Sequence, residues 1–295
     1  MQWRLDSRRS IPTSVRGVHA EPIGSSIRWS GCALMGVVNT TPDSFSDGGR
    51  YLTEDAAVAH ARQLVADGAF VVDIGGESTR PRADVVPLDV ELARTIPVIE
   101  RIAAHGEALI SIDTRKPEVA SAAIAAGAHL VNDVGGLRDP AMVEVCASAG
   151  VPAIVMHMRG DPATMQDDPR YDDVVTEVVE WLIQQAAMAI AAGVPSVMID
   201  PGIGFGKTVE HNVALFRALP LTDRHPVLIG VSRKRTIQVL AQLDDSAGRD
   251  IGSVAAHLYA AQHGAAMVRV HDVAGHRQAF AVDRGLRGDA EPEES

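Results

Sequence analysis

Aromatic residues make up only 4% of this chain of 295 residues, cysteine occurs twice, and no run of about 18 apolar residues is present. Each scarcity excludes a class of protein. Cys32 and Cys146 stand far apart and neither belongs to a Cys-x-x-Cys pair, so a disulfide framework and a cysteine-based zinc site are both excluded and a reducing compartment is expected. Arg4, Arg8 and Arg9 are followed by no apolar run of signal-peptide length, so the expectation is a cytoplasmic protein with no membrane partner. Positive charge is in deficit as well. A formal net charge of −11 argues against a nucleic-acid partner, which rewards a basic face. A phosphorylated small molecule held in a local basic pocket stays compatible with that charge.

What is present is a composition of 46% hydrophobic and 22% charged residues, enough to bury a large core. Short β-branched runs alternate with longer alanine-rich stretches of helical character, the pattern of repeated βα units on a parallel sheet. The strand-like runs are 33–38, 70–74, 109–112, 129–132, 153–156, 196–199, 226–231 and 266–270; helical stretches include 54–66, 89–104, 117–126, 173–192 and 253–263. Such a series closes into a (β/α)8 TIM barrel or opens into a doubly wound sheet. The strand ends favour the barrel. The first polar residues they reach are Asn39, Asp73, Asp113, Asn132, His157, Asp200, Ser232 and His271, and a barrel brings all eight to one mouth. The expected organisation is one α/β barrel domain over 31–285, a hairpin or strand in residues 1–30 at the barrel bottom, and a disordered acidic tail over 286–295.

Several loops carry chemistry. After the first strand, Asn39 to Gly49 forms a long polar loop suited to a lid, with Asp43 and Asp47 of the type that binds Mg2+ or stabilises a developing cation and Phe45 as an apolar face. Asp73 to Pro81 combines glycines with Ser78, Thr79 and Arg80, donors to an anion. Asp200 to Thr208 resembles a nucleotide P-loop but misses it, because Pro201 stands where the first glycine is required. Ser232-Arg233-Lys234-Arg235 places three adjacent cations at a strand end, and alternation puts Arg269 and His271 on one face of the last strand, a pairing suited to pyrophosphate.

Together with Ser111-Ile112-Asp113-Thr114, Val131-Asn132-Asp133 and Met156-His157-Met158, these motifs resemble the dihydropteroate synthases, in order and at family spacing over residues 33–282. The resemblance implies a pterin slot lined by Asp113, Asn132, Asp200 and Lys234 with Met156 and Phe205 packed near the ring. It implies a pyrophosphate site at Asn39, Arg269 and His271, with Mg2+ at Asn39, and a p-aminobenzoate site at Thr79, Arg80, Pro81, Phe45, Ser232 and Arg233. Asp47, Asn39, Lys234 and Arg269 are the implied catalytic residues, and a homodimer is the implied assembly. Arg82 and the triplet Thr236-Ile237-Gln238 depart from the family pattern beside the aminobenzoate site, with consequences for aminobenzoate and sulfonamide affinity. Two other readings compete: a methyltransferase acting on methyltetrahydrofolate, which needs no anion site at Ser232-Arg233-Lys234 or Arg269-Val270-His271, and a pterin-binding paralogue without turnover.

Overall fold

The computed structural model describes residues 2–4, 20–23, 26–40, 54–78, 85–106, 108–162, 164–244 and 248–288. The chain begins with β1 (Gln2–Arg4), β2 (Ala20–Ile23) and β3 (Ser26–Trp29), an antiparallel sheet in the order β1-β3-β2. Eight βα units follow: β4 (Ala33–Asn39) and α1 (Glu54–Asp67), β5 (Val71–Gly75) and α2 (Leu88–Ala103), β6 (Leu109–Asp113) and α3 (Pro117–Ala126), β7 (Leu130–Asp133) and α4 (Pro140–Ala149). The second half adds β8 (Ala153–Met156) and α5 (Val174–Ala191), β9 (Val197–Asp200) and α6 (Val209–Arg217), β10 (Leu228–Ile229) with α7 (Arg235–Leu240) and α8 (Arg249–Gln262), then β11 (Met267–Val270) and α9 (Val273–Arg287). All pairings in the eight-stranded sheet are parallel, in the order β10-β11-β4-β5-β6-β7-β8-β9. A single parallel bridge between Ile199 and Val227 joins the two ends and closes the barrel.

Period-two alternation divides every strand between two cores. One face packs under the helices, with Leu34, Val72, Ile110, Val131, Val155, Val197, Ile229 and Val268 among its members. The other face fills the barrel floor with Met35, Val71, Leu109, Leu130, Ile154, Met198, Leu228 and Met267, one residue from each strand. Trp29 seals this floor from below: it is 1% exposed, its ring lies 5.7 Å from Phe70, and Nε1 donates to the Ala266 carbonyl at 3.3 Å. Trp29→Ala would open a cavity under all eight strands, and a stability loss of about 3–5 kcal/mol is expected in equilibrium denaturation.

Two boundaries differ from the sequence expectation. The run 226–231 yields a ladder of only two residues, because Pro226 has no N–H to donate and the Val231 amide donates to His257 Nε2 at 3.2 Å instead of to a strand. At the other end α9 runs to Arg287, past the expected start of the acidic tail at 286; two basic residues in its last turn, Arg284 and Arg287, complement the helix dipole there. The apolar helix α5 buries Val174, Val178, Leu182, Ala186 and Ala189, a stripe at helical spacing that packs against β8 and β9.

Candidate active site

Two residues above the floor, the same alternation produces a different layer. Counting on from the eight floor residues gives Val37, Asp73, Ser111, Asn132, Met156, Asp200, Gly230 and Arg269. Five of these are polar or charged, so the barrel changes from hydrocarbon to hydrogen-bonding surface within one step of the strand. At its centre Arg269 donates through Nε to Asp73 at 2.6 Å and through Nη2 to Asp113 at 2.7 Å, while Asn132 Nδ2 donates to the same Asp73 oxygen at 3.0 Å. The other oxygen of Asp73 and the hydroxyl of Ser111, neighbours in the β5–β6 register, are buried without a hydrogen-bond partner. Unpaired buried acceptors carry a desolvation cost that a ligand's donors would relieve.

Gly230 marks where the opposite side of this layer converges. A Cβ built there would lie 3.6 Å from the Arg269 Cβ, 3.9 Å from Asp200 Oδ2 and 4.0 Å from Lys234 Nζ, so the missing side chain leaves room between a carboxylate and two cations. Lys234 donates to the Ile203 carbonyl at 2.7 Å and sits 4.5 Å above the Phe205 ring. Asp200 accepts from the Gly202 amide at 2.7 Å. Phe205 forms an apolar wall with Val134, Met156, Met158 and Met165.

The electrostatics follow from that burial. Loss of hydration raises the Asp113 carboxyl to about 7, against the pull of Arg269 and helped by repulsion from Asp73. Burial likewise raises Asp200, although Lys234 pulls it down. Lys234 is lowered to about 8 by burial, with Asp200 opposing the shift. The slot therefore holds an acid and a base whose proton affinities lie close to neutrality.

One layer higher stand Asn39, Asp113, Ser232 and His271 at the mouth. Ser232 Oγ contacts His271 Nδ1 at 2.9 Å and accepts from the His271 amide at 3.2 Å, tying the ends of β10 and β11 together. Arg233 has left-handed backbone at φ 59°, a conformation costly for a side chain of this size, and it is fixed from three sides. Its amide donates to Ser253 Oγ at 3.0 Å, its carbonyl accepts from Arg249 at 2.7 Å, and its guanidinium grips Asp250 at 2.7 and 2.9 Å. Thr236, one of the departures, is buried and accepts from Asn212 Nδ2 at 3.0 Å, while Asn212 Oδ1 accepts from the Gly204 amide at 3.0 Å. It thus braces the glycine loop from behind. Gln238 accepts from Arg249, the residue that holds the Arg233 carbonyl.

The expectation that all eight strand-end residues meet at the mouth fails at His157. It is out of phase with Met156 and Met158, so alternation turns it away from the axis. There its ring lies edge-on to Trp181, with centroids 5.1 Å apart, and Nδ1 meets Lys207 Nζ at 2.9 Å. Burial, and then the charge of Lys207, lower His157 to about 3, which leaves Nδ1 bare to accept from the lysine. Lys207 Nζ also lies 3.0–3.2 Å from the carbonyls of His157, Gly202 and Phe205, its three hydrogens shared among four acceptors, and so ties the glycine loop to the end of β8. The approach is close enough to demand glycine: Gly202 has φ 66°, and a Cβ there would fall 1.9 Å from the His157 carbonyl. Lys207→Met would strand the buried carbonyls of His157 and Phe205, while that of Gly202 keeps the Phe205 amide, and a stability loss of at least about 2 kcal/mol is expected in equilibrium denaturation. The sequence marks Asp73 only as a strand end and Lys207 and Met158 only within motifs, with no site role for any of them, and it gives no signal for Val134 or Met165. A floor residue followed two positions later by a polar one is the signal that finds Asp73.

Of the other sequence candidates, Phe45, Asp47, Thr79, Arg80, Pro81 and the departure Arg82 lie outside the described residues. Among the described residues no group of three or more His, Cys, Asp or Glu gathers to hold a metal.

Comparison with known proteins gives a consistent answer. Residues 35–271 match a family model described as "Pterin binding enzyme". The chain is 44% identical over 254 residues to the dihydropteroate synthase of Escherichia coli K12, covering 85% of this chain and 90% of that relative. Among solved structures, it matches Xanthomonas albilineans dihydropteroate synthase with 4-aminobenzoic acid at TM-score 0.83 and 48% identity, covering 90% of this chain and 96% of that one. The same enzyme in complex with 7,8-dihydropteroate matches at TM-score 0.82 and 43% identity, covering 98% and 100%.

Proposed function

Because the chain belongs to the pterin-binding enzymes, we infer from its barrel mouth that it carries out the dihydropteroate synthase reaction. It is a transferase of folate biosynthesis that condenses 6-hydroxymethyl-7,8-dihydropterin pyrophosphate with p-aminobenzoate to give 7,8-dihydropteroate and pyrophosphate. The observation that carries this reading is the cluster of Asp73, Asp113 and Asn132 around Arg269, set directly above an apolar floor. A pterin presents an amidine-like donor edge and an opposite acceptor edge. Carboxylates suit the first, and Asn132 and Lys234 suit the second.

In this reading Asp113, Asn132, Asp200 and Lys234 orient the ring, and Met156 and Phe205 cover its faces. Asn39, Arg269 and His271 receive the pyrophosphate; Ser232 and Arg233, with Phe45, Thr79, Arg80 and Pro81, border the aminobenzoate. The aryl amine forms a C–N bond to the pterin methylene carbon as the C–O bond to pyrophosphate breaks, and the amine proton is released to solvent. Asp47 would stabilise cationic character at that carbon. Positioning and charge supply the rate, and no covalent protein nucleophile takes part.

Mg2+ fits the donor set. Asn39 offers one half-buried carbonyl oxygen at the end of β4, and this ion is held by few protein oxygens together with substrate phosphates and water. Held by Asn39, Mg2+ would supply charge neutralisation for the pyrophosphate leaving group.

The same reading carries three coarser expectations. The unpaired thiols of Cys32 and Cys146 support a cytoplasmic enzyme. The charge of −11 supports a small-molecule enzyme without nucleic-acid partners. Exposed Val239, Leu240 and Ile251 on the adjoining α7 and α8 support a homodimer through that face. Ile251→Asp is expected to halve the molar mass measured by light scattering.

The deciding assay is pyrophosphate release by purified protein supplied with dihydropterin pyrophosphate, p-aminobenzoate and Mg2+, with the product mass checked. Release that depends on aminobenzoate is expected. Pterin binding without any dihydropteroate would sink the catalytic reading.

A further inference from the structure

The shortest strand of the barrel, β10, has only two ladder residues, yet it leads into Ser232 and Lys234. Behind it lie two fully buried histidines, His257 on α8 and His276 on α9, which the reaction chemistry does not use. His276 Nδ1 lies 2.5 Å from the Asp272 carbonyl, His276 Nε2 lies 2.8 Å from His257 Nδ1, and His257 Nε2 receives the Val231 amide at 3.2 Å. The Ile229 and Ser253 carbonyls also face the two rings, and along the relay itself the partners at its two ends set the direction of the protons. A carbonyl only accepts, so His276 Nδ1 carries a hydrogen and its Nε2 is bare. An amide only donates, so His257 Nε2 is bare and its Nδ1 hydrogen points at His276. Two neutral imidazoles thus satisfy all three contacts in one direction, and burial lowers both below the usual histidine range.

The chain closes a circuit. Val231 and Ser232 are consecutive at the end of β10, and His271 and Asp272 are consecutive at the end of β11. Ser232 Oγ joins His271 directly, while the histidine pair joins Val231 to Asp272 one residue away on each side. A pair of strand ends held twice, once directly and once through a relay, cannot slide or twist relative to one another. Sheet hydrogen bonds would supply that restraint, but β10 is too short to provide it past Ile229.

We propose that His257 and His276 are positioning residues, a neutral imidazole clasp that fixes Ser232 against His271 and so sets the pyrophosphate side of the mouth. The proposal rests on the reading that His271 receives pyrophosphate. Three of the four ring-orienting residues, Asp113, Asn132 and Asp200, lie on β6, β7 and β9 away from the clasp, and the fourth, Lys234, is anchored separately by its bond to the Ile203 carbonyl.

The test is a pair of dissociation constants, measured by calorimetry for the pterin pyrophosphate and for the same pterin bearing a hydroxymethyl group in its place. His257→Leu removes both contacts of that ring. His257→Gln keeps an acceptor for the Val231 amide while losing the link to His276, and it guards against failure of the leucine variant to fold. The expected result is about a tenfold weaker affinity for the pyrophosphate ligand in His257→Leu and a smaller loss in His257→Gln. The affinity for the hydroxymethyl pterin stays within about twofold of wild type in both. Unchanged affinity for the pyrophosphate ligand in the folded variants, or equal loss for both ligands, overturns the proposal. Wild-type protein that binds neither ligand removes the functional reading, and the clasp's role with it.

Discussion

Asp113→Asn is expected to lower kcat/KM for the pterin substrate by about 10²- to 10³-fold, chiefly through KM. In the wild type the Asp113 carboxylate shares Arg269 with Asp73. An incoming donor edge finds a charged acceptor whose cation is already in place. The amide keeps the shape and one acceptor oxygen but loses the charge and turns a donor toward either Arg269 or the ring. Charge-assisted hydrogen bonds are worth about 1.5–3 kcal/mol each, so two such bonds to an amidine edge give about 3–6 kcal/mol; the amide keeps part of this, and a loss of about 3–4 kcal/mol converts to the stated range at about 1.4 kcal/mol per tenfold. The ring is held in the same way before and during pyrophosphate departure, so the loss falls on uniform binding. Steady-state kinetics with the pterin substrate varied at saturating aminobenzoate would check it; a large fall in kcat with KM unchanged would assign Asp113 to the chemical step instead.

How much of this site is legible in the sequence depends on which periodicity a residue obeys. The barrel was readable because eight β-branched runs alternate with helical stretches, and the closing bridge between Ile199 and Val227 distinguishes it from an open sheet. Asp113, Asn132, Asp200, Arg269 and His271 were readable because polar residues at the ends of apolar strands have no other economical place. Asp73 reads in the sequence only as a strand end, yet it accepts from both Arg269 and Asn132; only the eight-strand layering shows that it lies level with them. His157 misleads for the complementary reason: one step of phase moves it from the axis to the helix side, where it serves Lys207. Lys207 stands within a glycine-rich motif, but its contacts with the His157 ring and carbonyl, fifty residues away, exist only in the fold. The clasp of His257 and His276 gives no local signal at all, since each ring sits on a separate helix and a single buried histidine is usually structural.

Lys234→Met is expected to cost about 10²- to 10³-fold in kcat/KM and to remove one limb of the pH profile. The lysine lies across the Gly230 gap from Asp200, so its loss removes a cation from the ring's acceptor edge and leaves a buried carboxylate without its compensating charge, a change worth about 3–5 kcal/mol. The pH dependence follows from two shifts of opposite consequence. Asp113, raised to about 7, must be ionised to accept from the pterin, so kcat/KM falls as pH drops below that value. Lys234, lowered to about 8, must be protonated to donate, so kcat/KM falls again as pH rises past that value. The wild type should therefore show a narrow bell in kcat/KM, the quantity that reports groups of the free enzyme. Lys234→Met should keep the acid limb and lose the alkaline one, and Asp113→Asn should do the reverse. An alkaline limb that persists in Lys234→Met would assign that titration to another group, with buried Lys207, lowered to about 7, the first to examine.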